Sequence, residues 1–139
     1  MTERKASCSC GALTVTVEGA PDFISMCHCA DCQRRSGSPF GVGAFFPRDR
    51  VKIAGSYKTW SRKTDSGNDM INYFCPNCGT NIAWDATVRP NSLAVAVGAF
   101  NDPHFNLPTI SFYTANKHDW VVVPGTARQF EKGRAPPKQ

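Results

Sequence analysis

Short stretches in which apolar and polar residues alternate dominate this chain. Ala12-Leu13-Thr14-Val15-Thr16-Val17-Glu18 has the period of two expected of a strand with one face in a core and the other in water. β-branched and aromatic residues gather again at Phe40 to Phe46, Val51 to Ala54, Tyr57 to Ser61, Ile71 to Phe74, Ile82 to Trp84 and Leu93 to Gly98, with a last run at Val121 to Val123. Turn-forming residues separate the runs, among them Gly19-Ala20-Pro21, Pro47-Arg48-Asp49, Ala54-Gly55-Ser56, Ser66-Gly67-Asn68-Asp69 and Arg89-Pro90-Asn91-Ser92. Only Cys29 to Ser36 reads as helical, for about two turns, and no period of 3.6 runs far enough to cover a sheet. The pattern predicts a mainly β domain built from small antiparallel sheets, with at most one or two short helical turns.

The chain has 139 residues, 41% of them hydrophobic and 19% charged, which suits one domain around one core. Residues 1–131 are expected to form it. The polar, proline-bearing end from Lys132 to Gln139 is expected to fray. No apolar run approaches the ~18 residues of a membrane helix. Met1-Thr2-Glu3-Arg4-Lys5 leads into the first cysteines without the apolar stretch of a secretion signal. A cytoplasmic protein is therefore expected.

Seven cysteines then change the picture. They fall as Cys8-Ser9-Cys10, as Cys27-His28-Cys29 with Cys32, and as Cys75-Pro76-Asn77-Cys78-Gly79. In a reducing compartment clustered thiols serve metals or catalysis more often than disulfides, and an odd number cannot all pair. A structural zinc takes four protein ligands, whereas a catalytic zinc keeps about three and leaves a position open. Two close pairs and one triplet divide the cysteines in that way. Cys75 and Cys78 form a two-residue-spaced knuckle whose turn Gly79 can close with positive φ. Cys8 and Cys10 are the natural second pair, so that the metal staples the N-terminal strand to the middle of the chain. A thioredoxin-like redox pair is the competing reading of the knuckle, but it expects an α/β surround that is missing here.

Cys27, Cys29 and Cys32 can cap one face of a tetrahedron, leaving the fourth place for water or a substrate thiolate. His28, His104 or His118 could instead fill it, or the triplet could be a metal-free thiol cluster with one nucleophile. His28 otherwise sits close to the sulfurs as a hydrogen-bonding partner or as a packed polar residue. Arg34 and Arg35 follow at once. They could offset the negative charge of a trithiolate zinc and hold a carboxylate, or form an ordinary solvated turn. Ser36-Gly37-Ser38 adds a backbone-exposing turn beside them. The formal charge of +5 counts thiols as neutral; seven thiolates around two zinc ions would bring it to about +2. With no dense Lys/Arg stripe, this argues against a nucleic-acid partner.

The order C-x-C-G, then C-H-C-x-x-C-x-x-x-x-G, then F-C-x-x-C-G resembles the family of glutathione-dependent formaldehyde-activating enzymes, whose domain is shared by the centromere protein V group. Phe74 to Gly79 and Gly37 match as they stand. Gly98-Ala99-Phe100-Asn101-Asp102-Pro103 is similar to a family turn, and Lys117 with Trp120 resembles its C-terminal Lys-x-x-Trp element. The likeness covers residues 6 to 131. It implies a β-tent zinc fold, a structural zinc at Cys8, Cys10, Cys75 and Cys78, and a catalytic zinc at Cys27, Cys29 and Cys32. The chain looks shorter than better-known members between the triplet and the knuckle, which bears on the shape of the substrate pocket.

The activity so implied is carbon–sulfur lyase or synthase chemistry on a thiol–aldehyde adduct, glutathione plus formaldehyde giving S-(hydroxymethyl)glutathione. The alkoxide would take a proton from water or a neighbouring acid such as His28, and Arg34, Arg35 or Lys58 could meet glutathione's carboxylates. The alternative is a non-catalytic, zinc-scaffolded binding or regulatory module. Phe105, Phe112 and Trp120 could line a pocket or a contact between copies in a homo-oligomer, although such residues most often belong to a core.

Overall fold

The computed structural model describes residues 1–133. Along them run β1 (Glu3–Ser7), β2 (Thr14–Glu18), β3 (Phe23–Cys27), α1 (Ala30–Ser36), β4 (Gly41–Pro47), β5 (Val51–Ala54), β6 (Lys58–Lys63), β7 (Asp69–Phe74), β8 (Asn81–Ala86), β9 (Ser92–Ala96), β10 (Ile110–Phe112) and β11 (Arg128–Gln129). The mainly β reading holds, with one short helix where it was expected. The strands form a three-stranded sheet, β1-β2-β5, and an eight-stranded one, β11-β10-β3-β4-β9-β8-β7-β6. The small sheet is antiparallel. The large one is antiparallel except at one end, where β10 lies parallel to both β3 and β11.

The alternation seen at Leu13 to Glu18 places Val15 and Val17 in the core, with Ala6, Cys8 and Leu13. Opposite them the large sheet contributes Ile24, Ala44, Phe46, Leu93 and Val95. The core thus lies between the two sheets, as the two-layer rule for β domains requires. Burying a side chain such as Phe46 or Leu93 is worth about 1.5–3 kcal/mol.

The other face of the large sheet carries α1 and the smaller cluster of Phe45, Trp84 and Ala94. Cys27 registers with Gly41, Trp60 with Asn72 and Asn72 with Trp84, so these positions share that face. Here the backbone makes room for a large ring. A Cβ on Gly43 would stand 2.4 Å from Trp84 Cζ2, and one on Gly41 would stand 2.2 Å from Arg35 Nη2.

Two local expectations need correcting. Val121 to Val123 forms no strand; Val122 is 85% exposed, and the Val121 carbonyl accepts from Lys117 Nζ at 3.0 Å. Trp120 is exposed rather than core, whereas Phe105 packs against the main cluster and Phe112 stacks on Phe130. Of the expected tail, Lys132 is still held, its carbonyl accepting from Tyr113 N at 2.9 Å. Residues 134–139 lie outside the described part.

Candidate functional site

The four cysteines at the two hairpin tips meet. Cys8 and Cys10 stand on the β1–β2 turn and Cys75 and Cys78 on the β7–β8 turn, with all four Sγ atoms within 4.8 Å of one another. The turns are built alike. Gly11 N donates to Cys8 O at 3.1 Å and Gly79 N to Cys75 O at 2.9 Å, each glycine with φ near +80°. Backbone amides also point at sulfur: Leu13 N lies 3.2 Å from Cys8 Sγ and Cys78 N 3.5 Å from Cys75 Sγ. Thr80 ties the tips together, its hydroxyl accepting from Ser9 N at 3.1 Å. Cys8–Cys10 and Cys10–Cys75 sulfurs are each 3.7 Å apart. A tetrahedron with Zn–S bonds of about 2.3 Å has edges of about 3.8 Å. The quartet therefore fits a tetrahedral thiolate-bound ion.

Cys27, Cys29 and Cys32 form the second cluster, also within 4.8 Å and all half-buried. Local chain direction explains it: Cys27 ends β3, Cys29 caps α1 and Cys32 lies in its first turn. Cys32 N donates to Cys29 Sγ at 3.3 Å, so one thiol is both helix cap and candidate ligand. The three thiols compete for charge. Donation from Cys27, and then from Cys32, holds the Cys29 thiol down to about 2, helped by the Arg62 charge. Its bonds to Cys29 and then Cys32, with burial, push Cys27 far above the ordinary thiol range. A single proton leaves readily and the rest do not, so a cation is what would let all three sulfurs ionise. This donor set fits a metal ion held on one side only.

His28 is not part of this cluster. It is fully buried, with Nε2 2.9 Å from Ser111 Oγ and Nδ1 without a hydrogen-bond partner. Burial, then the Lys117 charge, keeps its pKa below the usual value and hence the ring neutral. It is packed as a polar residue in the interior, with no exposed surface in this structure. His118 Nε2 instead meets Gln33 Oε1 at 3.1 Å, and neither it nor His104 joins the three sulfurs.

The two arginines after the triplet behave differently. Arg34 is exposed, whereas Arg35 lies over the Trp84 ring at 3.8 Å to its centroid, with Nη2 buried and unpartnered. Both line a groove of about 300 Å3 with Asp31, Trp60, Arg62, Asn72 and Asn81. Lys58, expected as a further contact, is exposed on β6 and not among the lining residues. Three residues absent from the sequence reading complete the surroundings of the trio. Arg62 on β6 pairs with Asp31 at 3.3 Å. Tyr113, just after β10, donates to Asp65 in the β6–β7 turn at 2.6 Å, and its phenol feels the charges of Cys29 and Cys27. No local motif could have marked them, because they come from segments far apart in the chain.

The family model for the glutathione-dependent formaldehyde-activating enzyme matches residues 3–116. No curated protein matches the chain in sequence. Among solved structures, a crystal structure of a Rhodobacter sphaeroides protein is similar at 21% identity with a TM-score of 0.56, covering 73% of this chain and 90% of that one. At that identity the likeness concerns the fold. The matched span takes in all seven cysteines, both hairpin tips and the first turn of α1, and on that match the chain belongs to the glutathione-dependent formaldehyde-activating enzyme family.

Proposed function

We propose that this protein is a zinc-dependent carbon–sulfur lyase or synthase that interconverts glutathione plus formaldehyde with S-(hydroxymethyl)glutathione. One observation carries the reading. A three-sulfur cluster that can bind an ion from one side lies on the same face of the large sheet as an arginine-lined groove. Cys8, Cys10, Cys75 and Cys78 would hold a structural zinc, and Cys27, Cys29 and Cys32 a catalytic one. A zinc held by these three cysteines would supply the charge that lets a thiol ionise at neutral pH and act as a nucleophile.

The chain's own residues do the rest. Arg35 lines the groove from its shelf on the Trp84 ring, a guanidinium suited to a carboxylate of the tripeptide, and Arg34 adds charge beside it. Asn72, buried to 5% exposure, and Asn81 offer amides to its peptide groups. Fixing the thiol-bearing arm in this way turns attack on the aldehyde into a positioned event. The sulfur bonds to the carbonyl carbon, the π pair moves to oxygen, and the oxygen takes a proton. All seven thiols are free, which agrees with a reducing, cytoplasmic setting.

Metal analysis together with calorimetric titration of glutathione tests the reading. Two zinc ions per chain and a binding signal abolished in Cys29→Ser are expected. One zinc, or glutathione binding that survives Cys29→Ser unchanged, would sink it.

A further inference from the structure

The reaction moves a proton at the adduct's oxygen, and the group that serves it has to face the trio. Among the described residues, Arg62, Asp31, His28, Lys117 and Tyr113 are polar side chains on the segments around it. His28 is sealed against Ser111. Asp31 is engaged by the Arg62 guanidinium. Lys117 Nζ is committed to the Val121 carbonyl. Tyr113 is the one that remains.

Its placement is unusual and enforced. Tyr113 directly follows Phe112, which registers with Cys27 in the parallel β3–β10 pairing, so its backbone leaves the strand one residue beyond a ligand's rung. Its backbone is left-handed, with φ +58°, a conformation that is strained for a non-glycine residue and persists only where the surroundings impose it. Here they do: Tyr113 N donates to Lys132 O at 2.9 Å, and Tyr113 O accepts from Asn116 N at 2.9 Å. The partner is fixed too. Asp65 sits in a turn closed by Gly67 N to Thr64 O at 2.9 Å and Thr64 N to Asn68 O at 2.7 Å. The carboxylate is exposed to water, while the phenol it holds is half-buried.

We propose that Tyr113 and Asp65 form a proton relay between the adduct bound at the cysteine trio and solvent. The inference rests on the activity proposed above. In the lyase direction the adduct's hydroxyl gives its proton to the Tyr113 oxygen while the phenol proton passes to Asp65. The freed O–H pair becomes the C=O π bond of formaldehyde, and the C–S pair leaves on sulfur as thiolate. Asp65 then returns the proton to water. Synthesis runs the same path backwards, with no oxidant or reductant involved.

Exchange NMR between hydrated formaldehyde and the glutathione adduct, with the uncatalysed rate subtracted, reads the step directly. Y113F and D65N should each lower kcat by about a hundredfold or more, within the range of general acid–base contributions. KM for glutathione and zinc content should stay as in the parent protein. The double variant should be no slower than Y113F, because two links of one relay fail together. D65E, which keeps the carboxylate, should recover much of the rate. Parent-level kcat in either single variant overturns the relay and leaves the activity standing. So does loss of zinc or of the folded circular-dichroism signal in both Y113F and D65N, which would make the pair structural. If the parent protein exchanges no faster than buffer, the proposed activity itself falls and the relay with it.

Discussion

The two cysteine clusters use the same atoms for opposite ends. The quartet joins turns 65 residues apart at Cys10 and Cys75, one from each sheet, and so closes a long loop of chain. The trio comes from six consecutive positions, Cys27 to Cys32, and joins nothing that the strand pairing has not already joined. The quartet's sulfurs surround a point, with Cys8 and Cys75 buried in the main core cluster. The trio's sulfurs lie to one side of a point, on the sheet face that also carries the charged groove. An ion in the first would be part of the fold; an ion in the second would be a guest whose remaining side faces solvent and substrate.

That contrast is broken most severely by serine at one member of each set. Cys75→Ser removes a buried ligand from the closing contact between the sheets, and cooperative thermal unfolding should be lost, since structural metal contributes folding free energy directly. Cys29→Ser should keep a cooperative transition and a native circular-dichroism spectrum while losing one ion and the activity. Equal melting behaviour of the two variants would erase the distinction between the clusters.

A smaller effect is expected where the groove is built. Gly43→Ala places a methyl against Trp84 and should cost about 1–3 kcal/mol in denaturant unfolding, as overpacking does. Because Arg35 rests on that ring, glutathione affinity should weaken in the same variant. A neutral Gly43→Ala would mean that Trp84 is free to move and that the Arg35 shelf is not rigid.

The mildest test is spectroscopic. Its bond to Asp65, then burial, raises the Tyr113 phenol from 10.0 to about 12. The folded protein therefore holds this proton more tightly than the unfolded chain. The stabilisation is complete below about pH 10 and disappears as pH rises through about 12. Ultraviolet titration should show one late phenol that D65N returns toward 10. An unchanged late phenol in D65N would assign the shift to burial instead.

What could be read from the chain divides along similar lines. The cysteine sets were legible because ligands of one metal recur at short, fixed spacings, and β5 was legible to its ends because Val51 to Ala54 lies between Arg50 and Gly55. β3 was missed since Ile24, Ser25 and Met26 are all buried, which removes the alternation a one-sided strand would show. β10 and β11 are three and two residues long, too short for any period to register. The run at Val121 to Val123 looked like a strand and is not one, because β propensity needs a partner ladder and Pro124 ends the segment. Arg62, Asp65 and Tyr113 were invisible for a different reason: their significance is a matter of which loops meet. Arg34 and Arg35 were visible, but only the packing of Trp84 on Gly43 separates the one from the other.

Strand β6 closes the large sheet with its outer hydrogen-bonding edge bare. Lys58, Arg62 and Lys63 stand along it, and a second molecule that tried to add its own β6 there would bring cation against cation. The positive charge along β6 thus has a consequence of its own: it discourages fibril growth from this margin of the large sheet, and concentrated salt should weaken that protection.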